Sequence, residues 1–164
     1  MRLTPRIVFA ALFTIAAILP AVAILYFQEE LGLDPCPMCI LSRYCFIVIA
    51  AIALAAAIHG PRGAGLKVYA GLIALFAVAG IGVSVRHSYL QHFPPAMESC
   101  GTDLEFLLNA LPLTQALPKI FAGTGSCSKV DWKMLGLSIP EWALVWFVIF
   151  GATALWVAFR KHRD

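Results

Sequence analysis

The chain has 164 residues, 61% of them hydrophobic, and a mean hydropathy of +0.85. That apolar share exceeds the roughly 45–50% of soluble domains, which excludes an ordinary soluble enzyme and leaves room for one membrane domain. The net charge of +3 comes from basic residues scattered at the ends of apolar stretches, not massed on one face, so no nucleic-acid partner is implied.

Four apolar stretches follow in chain order, at 7–27, 40–58, 66–85 and 142–159. Each is near the roughly 20 residues a helix needs to cross the hydrocarbon core. The first, after Arg2 and Arg6, contains Ala21-Val22-Ala23, which also resembles the cleavage site of a secretory signal. Its apolar run continues through Ile24, Leu25, Tyr26 and Phe27, so the reading favours a retained spanning helix, with Pro20 tolerated by local adjustment. Within the second and third stretches, Ala53, Ala57, Ala70, Ala74, Gly80 and Ser84 are small residues that permit close helix approach.

Four crossings place both termini on one side. Arg2 and Arg6, then His59, Arg62 and Lys67, then Arg160, Lys161, His162 and Arg163 all fall on that side, which the positive-inside rule makes cytoplasmic. The loops at 28–39 and 88–140 face the other way and carry Glu29, Glu30, Asp34, Glu98, Asp103, Glu105, Asp131 and Glu141, against Lys119, Lys129, Lys133 and the boundary residue Arg86. The expected fold is an all-α membrane protein, a four-transmembrane-helix bundle with one long outer loop. In that loop Thr102 and Glu105 fit a capping box, and Leu104, Leu107, Leu108 and Leu111 share a face before Pro112. This predicts a short amphipathic helix, lying on the membrane surface or packed at the bundle mouth; the residues support both equally.

Of five cysteines, Cys36, Cys39, Cys100 and Cys127 fall in the outer loops, where disulfides persist if the compartment is oxidising. Cys36-Pro37-Met38-Cys39 opens the second helix, whose dipole and unpaired amides favour a thiolate. Arg43 lies one turn on from Cys39 and adds a nearby cation. Two other readings stand beside redox chemistry: structural staples, or a zinc centre of four thiolates. Zinc is disfavoured by the long spacing from Cys39 to Cys100 with no second CxxC, so no metal is expected. Staples are harder to dismiss, although a CxxC bridge closes too small a loop to restrain much chain entropy. Cys45, about 240° around the helix from Cys39, should face away and serve as a small hydrophobe. At the outer end of the third stretch, Arg86, His87 and Gln91 are either ligand contacts or interfacial anchors.

The arrangement resembles the disulfide bond formation protein B (DsbB) family across essentially the whole chain. The residues carrying the resemblance are Cys36-Pro37-Met38-Cys39 with Arg43, His87-Ser88-Tyr89-Leu90-Gln91, and Gly125-Ser126-Cys127 followed by Trp132, Leu135-Gly136-Leu137, Pro140 and Trp142. The resemblance implies a thiol:quinone oxidoreductase of the bacterial inner membrane, with its cysteine loops periplasmic. It implies redox-active disulfides Cys36–Cys39 and Cys100–Cys127, with reduced DsbA, the periplasmic thiol oxidase, attacking the second pair at Cys100. Cys127 would then attack Cys36, releasing Cys39 to pass two electrons to ubiquinone or menaquinone. Arg43 would stabilise the thiolate, with His87, Gln91 and Arg86 as further quinone contacts. The vitamin K epoxide reductase group also couples thiols to quinones in a four-helix core, but its quinone-proximal CxxC lies near the last core helix. A reading from another class is a non-catalytic scaffold or transporter subunit with structural disulfides. Few charges interrupt the spans, so no polar transport path is evident.

Overall fold

The structure is a computed structural model and describes residues 4–32, 35–93 and 132–160. Cys100, Cys127 and the amphipathic helix expected over 102–111 lie outside the described residues. Helix α1 (Pro5–Val22) runs on as a π-helical segment (Ala23–Glu30), followed by α2 (Pro37–His59), α3 (Ala64–His92), the strands β1 (Lys133–Met134) and β2 (Leu137–Ser138), and α4 (Ile139–Phe159). Among the described residues, four helical stretches are long and apolar enough to cross a membrane: Pro5–Glu30, Pro37–His59, Ala64–His92 and Ile139–Phe159. Only 22–39% of each span is buried inside the bundle, so most of the apolar surface faces outward. Ile18, Leu75, Val78 and Leu155 are among the exposed apolar side chains. An apolar exterior of this kind is matched to lipid rather than water.

Contacts run in chain order, α1 on α2 and α2 on α3, with the most extensive packing between α3 and α4. Lipid tails are as apolar as the core side chains, so close van der Waals fit must hold these helices together. The small residues provide it: Ala70, Ala77, Gly80 and Ser84 of α3 are buried, and any β-carbon at Gly80 would run into the Phe147 ring of α4. Phe147 in turn stacks on Phe46 of α2 with ring centroids 4.1 Å apart. Phe9, Ile49, Ile73 and Phe150 complete a fully buried centre.

At the basic end of the bundle the helix ends are tied off. Helix α2 stops at Gly60, in the left-handed conformation (φ 60°, ψ 49°) that glycine adopts without steric cost. Arg6 reaches across from α1, donating through Nε to the Ala57 carbonyl (2.7 Å) and through a terminal nitrogen to that of Ile58 (3.1 Å). A cation on unpaired carbonyls at a helix C-terminus also complements the dipole.

The other end departs from four plain rods. Helix α3 extends through His92, so residues 88–92, expected to begin the outer loop, are helical; Leu90 is buried and holds that last turn against Met38 and Val83. Pro20 cannot donate to the preceding turn, and a few residues later the helix widens until Leu31 N–H reaches the Tyr26 carbonyl (3.1 Å). Strands β1 and β2 form a two-residue antiparallel hairpin, an element the all-helical expectation omits. Its turn, Leu135-Gly136, has positive φ at both positions (55° and 84°), the backbone that matches hairpin twist. Ser138 then caps α4: its backbone N–H and its hydroxyl both donate to Glu141 Oε2, at 2.6 and 3.0 Å.

Candidate functional site

Cys36 is the N-cap of α2, with extended backbone (φ −68°, ψ 160°), and Pro37 starts the helix with its φ already fixed. The cap geometry turns the Cys36 side chain back over the first turn, where its sulfur accepts from the Cys39 amide at 3.4 Å. The two sulfurs are 3.4 Å apart, far beyond a covalent S–S length of about 2.05 Å, so this is a dithiol arrangement. Buried His87 of α3 (4% exposed) brings Nε2 to 3.6 Å from Cys36 Sγ. An imidazole that can take or give a proton therefore stands beside a sulfur already facing the positive end of a helix.

Cys36, Cys39 and His87 open onto a cavity of about 540 Å³, within the range typical of small-molecule sites. Its wall is mainly aromatic and aliphatic, including Phe27, Phe46, Trp132, Trp142 and Trp146, with Ser42, Arg43 and Gln91 as polar points. The hairpin closes one side: Trp132 packs edge-on against Phe27 at 4.8 Å, and Trp142 Nε1 donates to the Met134 carbonyl (3.1 Å). Helix α4 is tied to the end of α3 by Ser88 donating to Glu141 Oε1 (3.4 Å), with His92 3.9 Å from the same oxygen. Of the Leu135-Gly136-Leu137, Pro140 and Trp142 pattern, Pro140 and Trp142 line the cavity, while Leu135-Gly136 supplies the turn of the adjoining hairpin.

Arg43 lines the cavity, but its guanidinium donates to Gln28 Oε1 (2.9 Å) and the Ala23 carbonyl (3.2 Å). Both acceptors belong to the π-helical segment; π turns occur often at functional sites. The cation is therefore braced at the cavity wall rather than bonded to sulfur. Gln91 also lines the cavity, whereas Arg86 does not. One residue before His87, Arg86 is rotated about 100° around α3 and lies over the Tyr89 ring at 5.5 Å. Cys45 is in the apolar core with Phe9, Phe46 and Phe147.

Two residues of the site escape sequence reasoning. Gln28 is legible only as an isolated amide after an apolar run, and its role depends on the π turn that aims it at Arg43. Ser42 follows Cys39 by three residues and so shares its helical face; its hydroxyl is buried without a hydrogen-bond partner among the described residues.

Fold and site together define a class: a multi-pass membrane protein with a CxxC dithiol at the wall of an apolar cavity. Residues 5–157 match the family model described as Disulfide bond formation protein DsbB, and the chain belongs to that family. Among similar proteins, Disulfide bond formation protein B of Azoarcus sp. (strain BH72) is 48% identical over 157 residues, 96% of this chain and 94% of that one. The protein of the same name from Stutzerimonas stutzeri (strain A1501) is 42% identical over 163 residues, covering 98% of this chain and 99% of the relative. A role in disulfide bond formation follows from that membership.

Proposed function

We propose that the protein re-oxidises a periplasmic DsbA-type thiol oxidase and delivers the two electrons to the membrane quinone pool. The observation that carries this reading is the Cys36, Cys39 and His87 cluster opening into an aromatic-lined cavity. A structural staple needs no such cavity, which counts against the scaffold or transporter-subunit reading. The Ser42 hydroxyl, buried with no hydrogen-bond partner among the described residues, offers a hydrogen bond to a polar group within the cavity, as a quinone carbonyl would be. Arg43, Gln91 and His87 are further polar contacts for the ring, and the tryptophans and Phe46 would flank it. When bound, ubiquinone or menaquinone supplies a two-electron, two-proton acceptor. No metal is needed for this chemistry.

The chain's own steps are thiol exchanges. A thiolate of the reduced partner attacks Cys100 of a Cys100–Cys127 disulfide, releasing Cys127 as a thiolate. The partner's second thiol resolves the mixed disulfide, leaving the partner oxidised and Cys100 reduced. Cys127 attacks Cys36 of a Cys36–Cys39 disulfide, and Cys39 leaves as a thiolate. Cys100 then displaces Cys36 from the Cys36–Cys127 bridge, restoring Cys100–Cys127 and leaving the Cys36/Cys39 dithiol to be oxidised. His87 is placed to hold or release the proton of Cys36, and the helix N-terminus favours each thiolate formed there.

For orientation, Arg6, His59, Arg62, Lys67 and Arg160 stand at the ends of α1 to α4 opposite the cysteine pair, which supports cytoplasmic termini in the bacterial inner membrane. Adding reduced DsbA to the purified protein with quinone should convert quinone to quinol, followed by loss of quinone absorbance. Unchanged conversion by Cys39→Ser or Cys100→Ser would overturn the relay.

A further inference from the structure

The three groups at the site also meet the requirements of a different ligand. Cys36 Sγ, Cys39 Sγ and a ring nitrogen of His87 all lie within 4.8 Å of one another. Tetrahedral zinc, with Zn–S of about 2.3 Å and Zn–N of about 2.0 Å, requires S···S near about 3.8 Å and S···N near about 3.5 Å. The observed separations are 3.4 Å between the sulfurs and 3.6 Å from Cys36 Sγ to His87 Nε2. The third separation, from Cys39 Sγ to the His87 ring, lies within 4.8 Å, so side-chain rotation would bring all three atoms to one ion. Cys36 and His87 are buried, and all three residues line the cavity, so a fourth coordination position would face open space, as in zinc sites that keep one ligand exchangeable.

We propose that the dithiol form binds one zinc ion through Cys36, Cys39 and His87, and that this ion holds the pair reduced. Binding forms two zinc–thiolate bonds and one zinc–imidazole bond, and the two thiols release two protons; no electron moves. With both sulfurs coordinated, neither can form the Cys36–Cys39 disulfide until the ion leaves. The site differs from a four-thiolate centre in using His87 and in excluding Cys100 and Cys127. It exists only in one redox state, because a disulfide offers no thiolate to the metal. It therefore acts as a metal-dependent brake on a redox site rather than as a cofactor site. The proposal requires the dithiol and His87 only, and stands apart from the quinone assignment.

The test uses the full-length protein in detergent, reduced, freed of reductant and kept without oxidase or quinone. Zinc is titrated against a chromophoric chelator, and the bound ion is examined by X-ray absorption. The expected result is one zinc per reduced chain, coordinated by two sulfurs and at least one imidazole nitrogen. The oxidised wild-type protein, which needs no substitution, should lose this binding. The Cys100→Ser/Cys127→Ser double variant should keep it when reduced, and His87→Ala should weaken it about tenfold or more. Binding that survives oxidation of the Cys36–Cys39 pair, disappears in the Cys100→Ser/Cys127→Ser variant, is indifferent to His87→Ala, or shows no sulfur ligand would overturn the proposal. Absence of zinc from the reduced wild-type chain would do the same. Quinone reduction is not read in any arm, so either assignment can fail without the other.

Discussion

The two ends of the bundle are built from the same four helices and differ in how completely they satisfy themselves. At the basic end, Gly60 closes α2 and Arg6 occupies the Ala57 and Ile58 carbonyls. At the cysteine end, α1 widens into a π turn, Arg43 is braced on that turn, and a cavity of about 540 Å³ separates the helices behind a two-stranded hairpin. The first end spends its polar groups on structure. At the second, the Ser42 hydroxyl is buried with no hydrogen-bond partner among the described residues, beside two sulfurs 3.4 Å apart. An open volume with polar groups at its wall is what a small-molecule site requires, and the cysteine end provides one.

The sharpest way to separate the two ends is Cys39→Ser. Quinone-coupled disulfide formation should fall by roughly a thousandfold or more, while thermal unfolding in detergent stays within about 0.5 kcal/mol of the parent. A matching loss of stability would show that the cysteine end is structural after all. Gly80→Ala probes the packed middle, placing a methyl against Phe147 and costing about 1–3 kcal/mol of stability. Chemical denaturation reads that cost, and an unshifted midpoint would refute the close α3–α4 fit.

Smaller effects are expected from the polar points. Ser42→Ala should raise the KM for quinone about three- to tenfold, the worth of about one hydrogen bond, with little change in turnover at saturation; an unaltered KM would remove Ser42 from the binding wall. Gln28→Ala frees one side of the Arg43 brace and should have a similar or weaker effect on KM, because this bond is solvent-exposed and contributes about 1 kcal/mol at most. Arg6→Ala should lower stability by about 0.3–1 kcal/mol and leave quinone reduction unchanged. If it altered the reaction instead, the two ends would be coupled through the helices rather than independent.

The sequence reading follows these differences closely. The basic end and the packed middle are legible because they obey one-dimensional rules: apolar runs of spanning length, basic residues at their ends, and small residues at Ala70, Gly80 and Ser84 where helices touch. Cys36, Cys39, Arg43 and His87, singled out because a CxxC at a helix start and a polar residue near the end of another carry their chemistry in their spacing, line one cavity. Arg86 does not line that cavity: one step along a helix from His87 is about 100° of rotation.

By itself the chain determined the four apolar helices of spanning length seen among the described residues, which ends carry charge, and that a thiol pair opens the second helix, because hydrophobic length and local caps are properties of contiguous residues. Tertiary structure alone decided that His87 comes within reach of Cys36 from 51 positions away, that Arg43 turns to Gln28 and Ala23, and that the tryptophans of the hairpin and α4 help wall a cavity. Those are relations between separate elements, fixed by how the helices pack, and the spacing of residues along one strand of chain does not encode them.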